Sequence, residues 1–271
     1  MTVARIQMPV AGNPWHPIAL GILVVAAVLA TAAPAAMGTP VDSTYAIATK
    51  VALSALAIAL LSGLHWWRQA GFLARPSWSD LRWLALPSIL VLGALGAVIA
   101  VGPATSDSGL VLAFAVVAIG VGFSEEALFR GVLVEAMRPW GPLRTIIGTT
   151  IGFSLLHLAG LMGGATLDAT LAQVLLGGLP FGLAFAGLRL TTRSIWPLVA
   201  IHAVNNFTSF LMSGQWQAVT QDTSKFAAAS TVGLGFLVVL AIYGLWFLWR
   251  FGREQSTFGP RGAPRVSGSS R

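Results

Sequence analysis

The chain of 271 residues contains no cysteine and few charged side chains. Without cysteine it can form no disulfide, no thiolate nucleophile and no cysteine-ligated metal site. Charged residues make up 9% of the sequence, whereas an average soluble domain carries about 25%. Hydrophobic residues make up 56%, so the composition excludes a disordered chain and indicates a polytopic membrane protein. Any catalysis must use glutamate, aspartate, histidine, serine, lysine or tyrosine.

The basic residues are dispersed, which argues against a nucleic-acid-binding protein despite the net charge of +7. They stand between apolar runs instead of forming one basic cluster. In membrane proteins such a distribution reports topology, because cytoplasmic loops are enriched in lysine and arginine. We therefore expect the lipid bilayer as a partner, and no nucleic acid.

Long apolar runs predict the fold. A helix that crosses the hydrocarbon core needs about 20 predominantly apolar residues. The sequence has eight such runs, which predict an all-α transmembrane bundle of about eight helices: 18–36, 45–65, 82–102, 110–136, 145–162, 168–188, 195–213 and 229–249. We expect a single transmembrane domain over 18–250, preceded by a cytoplasmic tail, 1–17, and followed by a disordered basic cytoplasmic tail, 251–271.

The lysines and arginines predict the orientation. With the N-terminus in the cytoplasm, nearly all of the 16 basic residues fall in inside segments. The exceptions are Lys50 and Lys225, which we assign to outside segments, and Arg130, inside the fourth run. An odd number of spans would scramble this alternation. The sequence therefore predicts a multi-pass protein of the cell membrane with both termini in the cytoplasm.

The fourth run contains the stretch "GFSEEALFRG", with two glutamates and an arginine. A charged group at the bilayer centre costs about 2.5–3.5 kcal/mol on insertion scales, so intramembrane charges are usually paired and functional. Glu126 and Arg130 are four residues apart and can pair on one helix face. Glu125 points about 100° away from Glu126, so it need not share that arginine.

Other polar residues fall at a similar depth. At a rise of about 1.5 Å per residue, Glu125 lies about 16 Å, His157 about 18 Å and His202 about 10 Å from the cytoplasmic ends of their helices. Asn206, one turn beyond His202, lies at about 16 Å. Three predicted helices therefore bring two histidines, a glutamate and an asparagine to comparable depth in the cytoplasmic half of the membrane.

This set of side chains suits peptide hydrolysis. A carboxylate in a low-dielectric site can act as general base toward water, and a neighbouring histidine can orient that water. Asparagine and histidine donors can stabilise an oxyanion. Each residue also has a structural interpretation, as a helix-joining Glu–Arg pair, a packing histidine or an interhelical asparagine. Their shared depth favours function, whereas His16, His65 and Glu135 lie near predicted interfaces and favour structural roles.

Three motifs in this region resemble those of the CPBP membrane proteases, the CAAX-protease and bacteriocin-processing family, also called ABI. They are two glutamates followed by an arginine (Glu125, Glu126, Arg130), Phe-x-x-x-His (Phe153, His157) and His-x-x-x-Asn (His202, Asn206). The resemblance covers about residues 110–212. It implies an all-α intramembrane endopeptidase whose site opens to the cytosolic side.

The resemblance also implies a role for each motif residue. Glu125 is the water-activating base, assisted by His157, and Glu126 and Arg130 support the site. His202 and Asn206 stabilise the oxyanion. We expect no cofactor and no metal, and the sequence lacks the H-E-x-x-H pattern. Two histidines and a glutamate could still bind zinc with one open position, so a zinc-dependent mechanism stays an alternative.

Other functions remain as alternatives. A rhomboid-type serine protease would need a Gly-x-Ser-Gly motif and an aspartyl intramembrane protease a Gly-x-Gly-Asp motif, and the sequence has neither. A non-catalytic protein of the same fold, serving immunity, scaffolding or partner binding, is the main alternative. A proton-coupled transporter is another, since Glu–His pairs also relay protons. The expected partner is a peptide or protein substrate, with membrane-anchored and lipidated substrates included.

Overall fold

The computed structural model describes residues 15–36, 43–101, 107–162, 165–213 and 223–257, and these ranges are helical apart from short connections. The eight helices are α1 (Trp15–Ala36), α2 (Ser43–Gly63), α3 (Trp78–Val101), α4 (Ser108–Trp140), α5 (Pro142–Met162), α6 (Leu167–Thr191), α7 (Trp196–Ser213) and α8 (Thr223–Thr257). Each coincides with one predicted run to within several residues. The all-α fold class is therefore confirmed.

Seven of these helices are long and apolar enough to cross a membrane, and α7 is the exception within the described ranges. His202, Asn205 and Asn206 lower the hydropathy of α7, which has 18 residues. A helix of that length rises about 27 Å, close to the roughly 30 Å of a hydrocarbon core. The polar residues that reduce its apolar character are those singled out for chemistry. The chain is an integral, multi-pass membrane protein.

Apolar side chains lie on the outer surface of the bundle and the most polar ones in its interior, as solvation by lipid requires. Large apolar side chains point outward, among them Ile89, Leu112 and Ile242, each more than 60% exposed. In water such a surface would drive association, whereas lipid tails solvate it. Glu126 and Arg130, by contrast, are at most 1% exposed. The most polar side chains of the bundle are thus among its most buried.

Glycines allow the helices around these polar residues to pack closely. A Cβ atom on Gly122 of α4 would lie 2.7 Å from the carbonyl oxygen of Val199 and 2.9 Å from the backbone nitrogen of Ala203, both in α7. A Cβ on Gly178 of α6 would lie 2.9 Å from the Cα of Ser154 in α5. Small residues at such crossings are the usual means of close helix approach in membranes. They bring the backbones of α4 and α7 into direct contact.

Irregular turns interrupt two of the motif-bearing helices. In α4 a π-helical segment, Glu126–Leu133, begins at the second motif glutamate, and all its side chains are buried. In α5 a 3-10 turn, Leu156–Leu158, contains His157. π-Helical segments occur mostly as single-turn insertions within α-helices and are frequent at functional sites. A second π-helical segment, Gln173–Gly178, lies in α6.

Three connections meet at one end of the bundle. Arg189, at the end of α6, donates from Nη2 to the carbonyl oxygen of Gln69 at 2.6 Å and lies 3.4 Å from Glu135 Oε1 of α4. The backbone N–H of Ile195 donates to the carbonyl oxygen of Gly71 at 3.3 Å. The α2–α3, α4–α5 and α6–α7 connections, all predicted to lie inside, therefore share one end. Glu135 has the structural role expected for it.

The ends of the chain differ from the predicted limits. α1 begins at Trp15, within the predicted tail 1–17, and α8 continues to Thr257, beyond the predicted start of the C-terminal tail at 251. No proline occurs in α8, since the next one is Pro260, and the Arg253 guanidinium lies over the Trp249 ring at 4.9 Å. The remaining parts of both predicted tails, 1–14 and 258–271, lie outside the described residues.

Candidate active site

The predicted ion pair within α4 is present. Arg130 Nη1 lies 3.3 Å from Glu126 Oε1, and the exposed fractions of these side chains are 1% and 0%. Glu125 does not share this contact with the arginine. Its carboxylate points toward α2 and α7, as the 100° difference in helical phase predicts. The two adjacent glutamates therefore have different surroundings.

His202 of α7 lies between the two carboxylates. Its Nδ1 is 2.7 Å from Glu126 Oε1, and its Nε2 is 3.8 Å from Glu125 Oε2. A carboxylate that is paired with an arginine can only accept hydrogen bonds, so Nδ1 of His202 is the donor. This hydrogen bond leaves Nε2 as the nitrogen that faces Glu125. The contact joins α4 and α7 through their motif residues.

Aromatic rings enclose the Glu126–Arg130 pair. The Arg130 guanidinium lies 4.1 Å from the centre of the Phe153 ring, and its Nη2 donates to the carbonyl oxygen of Phe181 at 3.4 Å. The Phe181 ring stacks on that of Phe185 at 3.9 Å and lies 4.7 Å from the His202 ring. Cation–π contacts and exclusion of water strengthen charge interactions in such a setting. Phe153 of the second motif therefore contacts the first motif directly.

His157 belongs to the same cluster without touching Glu125. Its half-buried ring lies 5.6 Å from that of Phe153, and it is within electrostatic range of Glu125 and His202. No hydrogen bond or ion pair joins it to Glu125 in the described part of the chain. The predicted assistance by His157 would therefore require a molecule that bridges the two side chains.

Asn206 stands one turn beyond His202 on α7. Its Nδ2 donates to the backbone carbonyl oxygen of His202 at 3.1 Å. A side-chain amide has a second N–H and a carbonyl oxygen, so this bond uses only part of its capacity. Asn206 therefore shares a helix face with His202, as their spacing predicts, and keeps one donor for another partner.

Lys50 was not among the predicted site residues. Its Nζ lies 3.6 Å from Glu125 Oε1, and its side chain is 22% exposed. The assignment of Lys50 to an outside segment was wrong, because the residue lies within the candidate span Thr44–Gly63. An ionisable residue inside the second apolar run was a signal that could have identified it. Its position on α2, far from the three motifs in sequence, concealed its relation to them.

The site residues do not fit a zinc ion in this arrangement. Among the residues that the structure describes, no group of three histidine, aspartate or glutamate side chains is placed to hold a metal ion. His202 directs its two nitrogens at two different carboxylates, and one of them is engaged at 2.7 Å. A catalytic zinc would need three protein ligands around one point.

The comparison with protein families matches the part of the chain that holds these residues. Residues 107–208 match the family described as type II CAAX prenyl endopeptidase Rce1-like. This segment includes all six predicted site residues, from Glu125 to Asn206, and excludes Lys50. No curated protein and no solved structure matches the chain. The family is the CPBP or ABI family that the motifs resemble. Over α4 to α7 the protein therefore carries a domain of the Rce1-like type II CAAX prenyl endopeptidase family.

Proposed function

We propose that the protein is an intramembrane endopeptidase that hydrolyses peptide bonds with a water molecule activated by Glu125. The observation that carries the proposal is the contrast between the two glutamates. Glu126 Oε1 is engaged by His202 at 2.7 Å and by Arg130 at 3.3 Å. The contacts of Glu125, at 3.6 Å and 3.8 Å, are longer than strong hydrogen bonds. Glu125 is therefore the carboxylate that can accept a proton from water.

Glu126 and Arg130 act on the site through His202. Arg130 compensates the charge of Glu126, and Glu126 holds Nδ1–H of His202. A hydrogen bond to one imidazole nitrogen sets the orientation of the ring and the role of the other nitrogen. Here it directs Nε2 toward Glu125 and the space in front of it. Glu126 and Arg130 are thus positioning residues in this proposal.

The proposed reaction is a direct attack by water. Glu125 takes a proton as the water oxygen bonds to the scissile carbonyl carbon, and the carbonyl electron pair moves to its oxygen. The oxyanion accepts hydrogen bonds from His202 and from the second N–H of Asn206. When the carbon–nitrogen bond breaks, the leaving amine takes the proton from Glu125. His157, which lies within electrostatic range of Glu125, orients the water molecule.

The proposed role of His202 as a donor to the oxyanion depends on which of its ring nitrogens carry a proton. Its Nδ1–H is donated to Glu126, so Nε2 can donate to an oxyanion only when both ring nitrogens carry a proton. A neutral His202 would offer a lone pair at Nε2 instead. The active form in this mechanism is therefore the doubly protonated ring between two carboxylates.

We also propose that the protein lies in the cell membrane with both termini in the cytoplasm and the site reached from the cytosolic side. Two observations support this orientation: α7 has the length of a span, and the arginine-rich connections meet at one end of the bundle. A reporter fused to the C-terminus should report a cytoplasmic location. A C-terminus on the outer side of the membrane would contradict the eight-span topology.

The expected substrate is a peptide or protein, in the first instance one that is membrane-anchored or lipidated, because the site lies among membrane-spanning helices. Substrate trapping with Glu125→Gln, followed by mass spectrometry, should enrich proteins that the wild-type chain cleaves. Asp168→Asn is a matched control, since it converts an exposed carboxylate on α6 to an amide. A trap that enriches proteins which the wild type never cleaves would favour the non-catalytic, partner-binding alternative.

A further inference from the structure

Lys50 approaches the proposed base from outside the family-matched segment. Its ammonium group lies 3.6 Å from Glu125 Oε1, on the opposite side from His202, which lies near Oε2. Ionisable side chains in membrane helices are rare because their desolvation is costly. The position of this lysine therefore calls for a partner, and the partner is the carboxylate on which the proposed chemistry depends.

The packing of α2 on α4 accommodates the stem of this lysine. A Cβ atom added to Gly120 would lie 2.8 Å from Lys50 Cβ and 3.5 Å from its Cγ. The stem of Lys50 thus passes directly over a residue without a side chain, one and a half helical turns before Glu125. A larger residue at this place would displace α2 or redirect the lysine. Gly120 is a second, independent feature that places the ammonium group at the carboxylate.

The charges of the site explain why a second cation is needed. Glu125 and Glu126 are adjacent carboxylates, and Arg130 forms its ion pair with Glu126. Glu125 has two cationic partners, Lys50 at 3.6 Å and His202 at 3.8 Å, and His202 shares its other nitrogen with Glu126. A buried charge that loses its partner is strongly destabilised. Without Lys50, Glu125 would lose the one charge partner that it does not share with Glu126.

We propose that Lys50 is a positioning residue that keeps Glu125 ionised and orients its carboxylate for water activation. The inference rests on the proposed role of Glu125 as the base. It extends the functional unit beyond α4–α7 to α2. The proposal assigns Lys50 no contact with the substrate.

Other titratable groups also lie around Glu125. From α7 comes His202, from α5 comes His157, and from α4 itself come Glu126 and Arg130. In α6 the charged side chain on the packed face is Arg189, which is bound to Gln69, Thr192 and Glu135 at the far end of the helix. α1 contributes no acidic or basic residue except His16, near its start.

The test compares pH–rate profiles of full-length Lys50→Met, Lys50→Arg and the wild type, reconstituted in lipid. Lys50→Met keeps the length of the stem and removes the charge. Its loss of activity at low pH should begin at least about 1 pH unit higher than in the wild type, as expected for losing an opposite charge within 4–6 Å. Activity should recover at higher pH, and Lys50→Arg should retain the wild-type profile. Thr49→Val, a neutral change one residue away, is the control and should leave the profile unmoved.

Two results would overturn the proposal. One is a Lys50→Met profile that superimposes on that of the wild type. The other is a uniform loss at every pH with a raised KM, which would make Lys50 a substrate contact. A second measurement tests the Lys50–Glu125 pair without relying on the proposed protease activity. It compares the thermal midpoints of Lys50→Met, Glu125→Gln and the double variant. Non-additive effects support the pairing even if the wild type cleaves nothing, whereas additive effects contradict it.

Discussion

Glu126 Oε1 and His202 Nδ1 lie 2.7 Å apart and join α4 to α7 at the centre of the bundle. The same oxygen lies 3.3 Å from Arg130 Nη1, so one carboxylate oxygen connects an arginine and a histidine. The side chains of Arg130 and His202 are both at least 94% buried. In such an environment hydrogen bonds to charged groups are strong and unpaired charges are costly. This relationship sets the orientation of His202, whose other nitrogen lies 3.8 Å from Glu125.

Removing Arg130 should impair folding as well as activity. Arg130→Ala leaves Glu126 as a buried carboxylate without its compensating cation, which costs about 3–5 kcal/mol for a buried pair. We expect a lower yield of folded protein and a lower thermal midpoint in detergent. Arg144→Ala, which removes an exposed arginine at the start of α5, is the control. A well-folded, fully active Arg130→Ala protein would contradict the role of this pair.

A methyl group at Gly122 should separate α4 from α7. The added Cβ would meet the backbone of α7 at 2.7–2.9 Å, and backbone atoms cannot rotate away as a flexible side chain can. Overpacking of this kind costs about 1–3 kcal/mol, and here it would also lengthen the Glu126–His202 contact. Gly93→Ala, in α3, is the control because a Cβ there meets nothing within 4 Å. Equal thermal midpoints and activities for the two variants would contradict the close packing.

Asn206 and Asn205 provide a paired test of the oxyanion role. Asn206→Ala should lower kcat by about 10²–10³, the usual loss for one oxyanion donor, with little change in KM. Asn205 points about 100° away on the same helix and serves as the control. Asn205→Ala should retain most of the activity. Similar losses for both variants, measured on folded protein, would indicate a general effect on α7 and not an oxyanion donor.

The sequence predicted the features that depend on spacing along one helix. Apolar runs of sufficient length predicted all eight helices, and the i, i+4 spacing predicted the Glu126–Arg130 pair. The phase difference between Glu125 and Glu126 also predicted their different surroundings. These predictions succeed because a helix in lipid must form all its backbone hydrogen bonds within itself. This regular hydrogen bonding fixes the periodicity of its side chains.

Features that depend on how helices meet could not be predicted. The π-helical segment that begins at Glu126 is buried among the other helices, and no residue pattern in the sequence predicts it. The contact of His202 Nδ1 with Glu126 depends on the rotation of α7 against α4, which close approach at Gly122 allows. Lys50 was missed because its partner lies 75 positions away in the sequence, on a helix whose neighbours only the fold reveals.

The most direct measurement is single-turnover cleavage of a lipidated peptide by the full chain in lipid, with wild type and Glu125→Gln compared; the first peptide to use is of the prenylated CAAX type that the family description names. The account predicts that Glu125→Gln binds the peptide with unchanged affinity and cleaves it at a rate indistinguishable from that without enzyme. It also predicts that chelators leave the wild-type rate unaltered. Cleavage by Glu125→Gln at a rate near that of the wild type would contradict the assignment of Glu125 as the base. One zinc ion per chain, with activity lost on its removal and restored by its return, would contradict water activation by Glu125 alone.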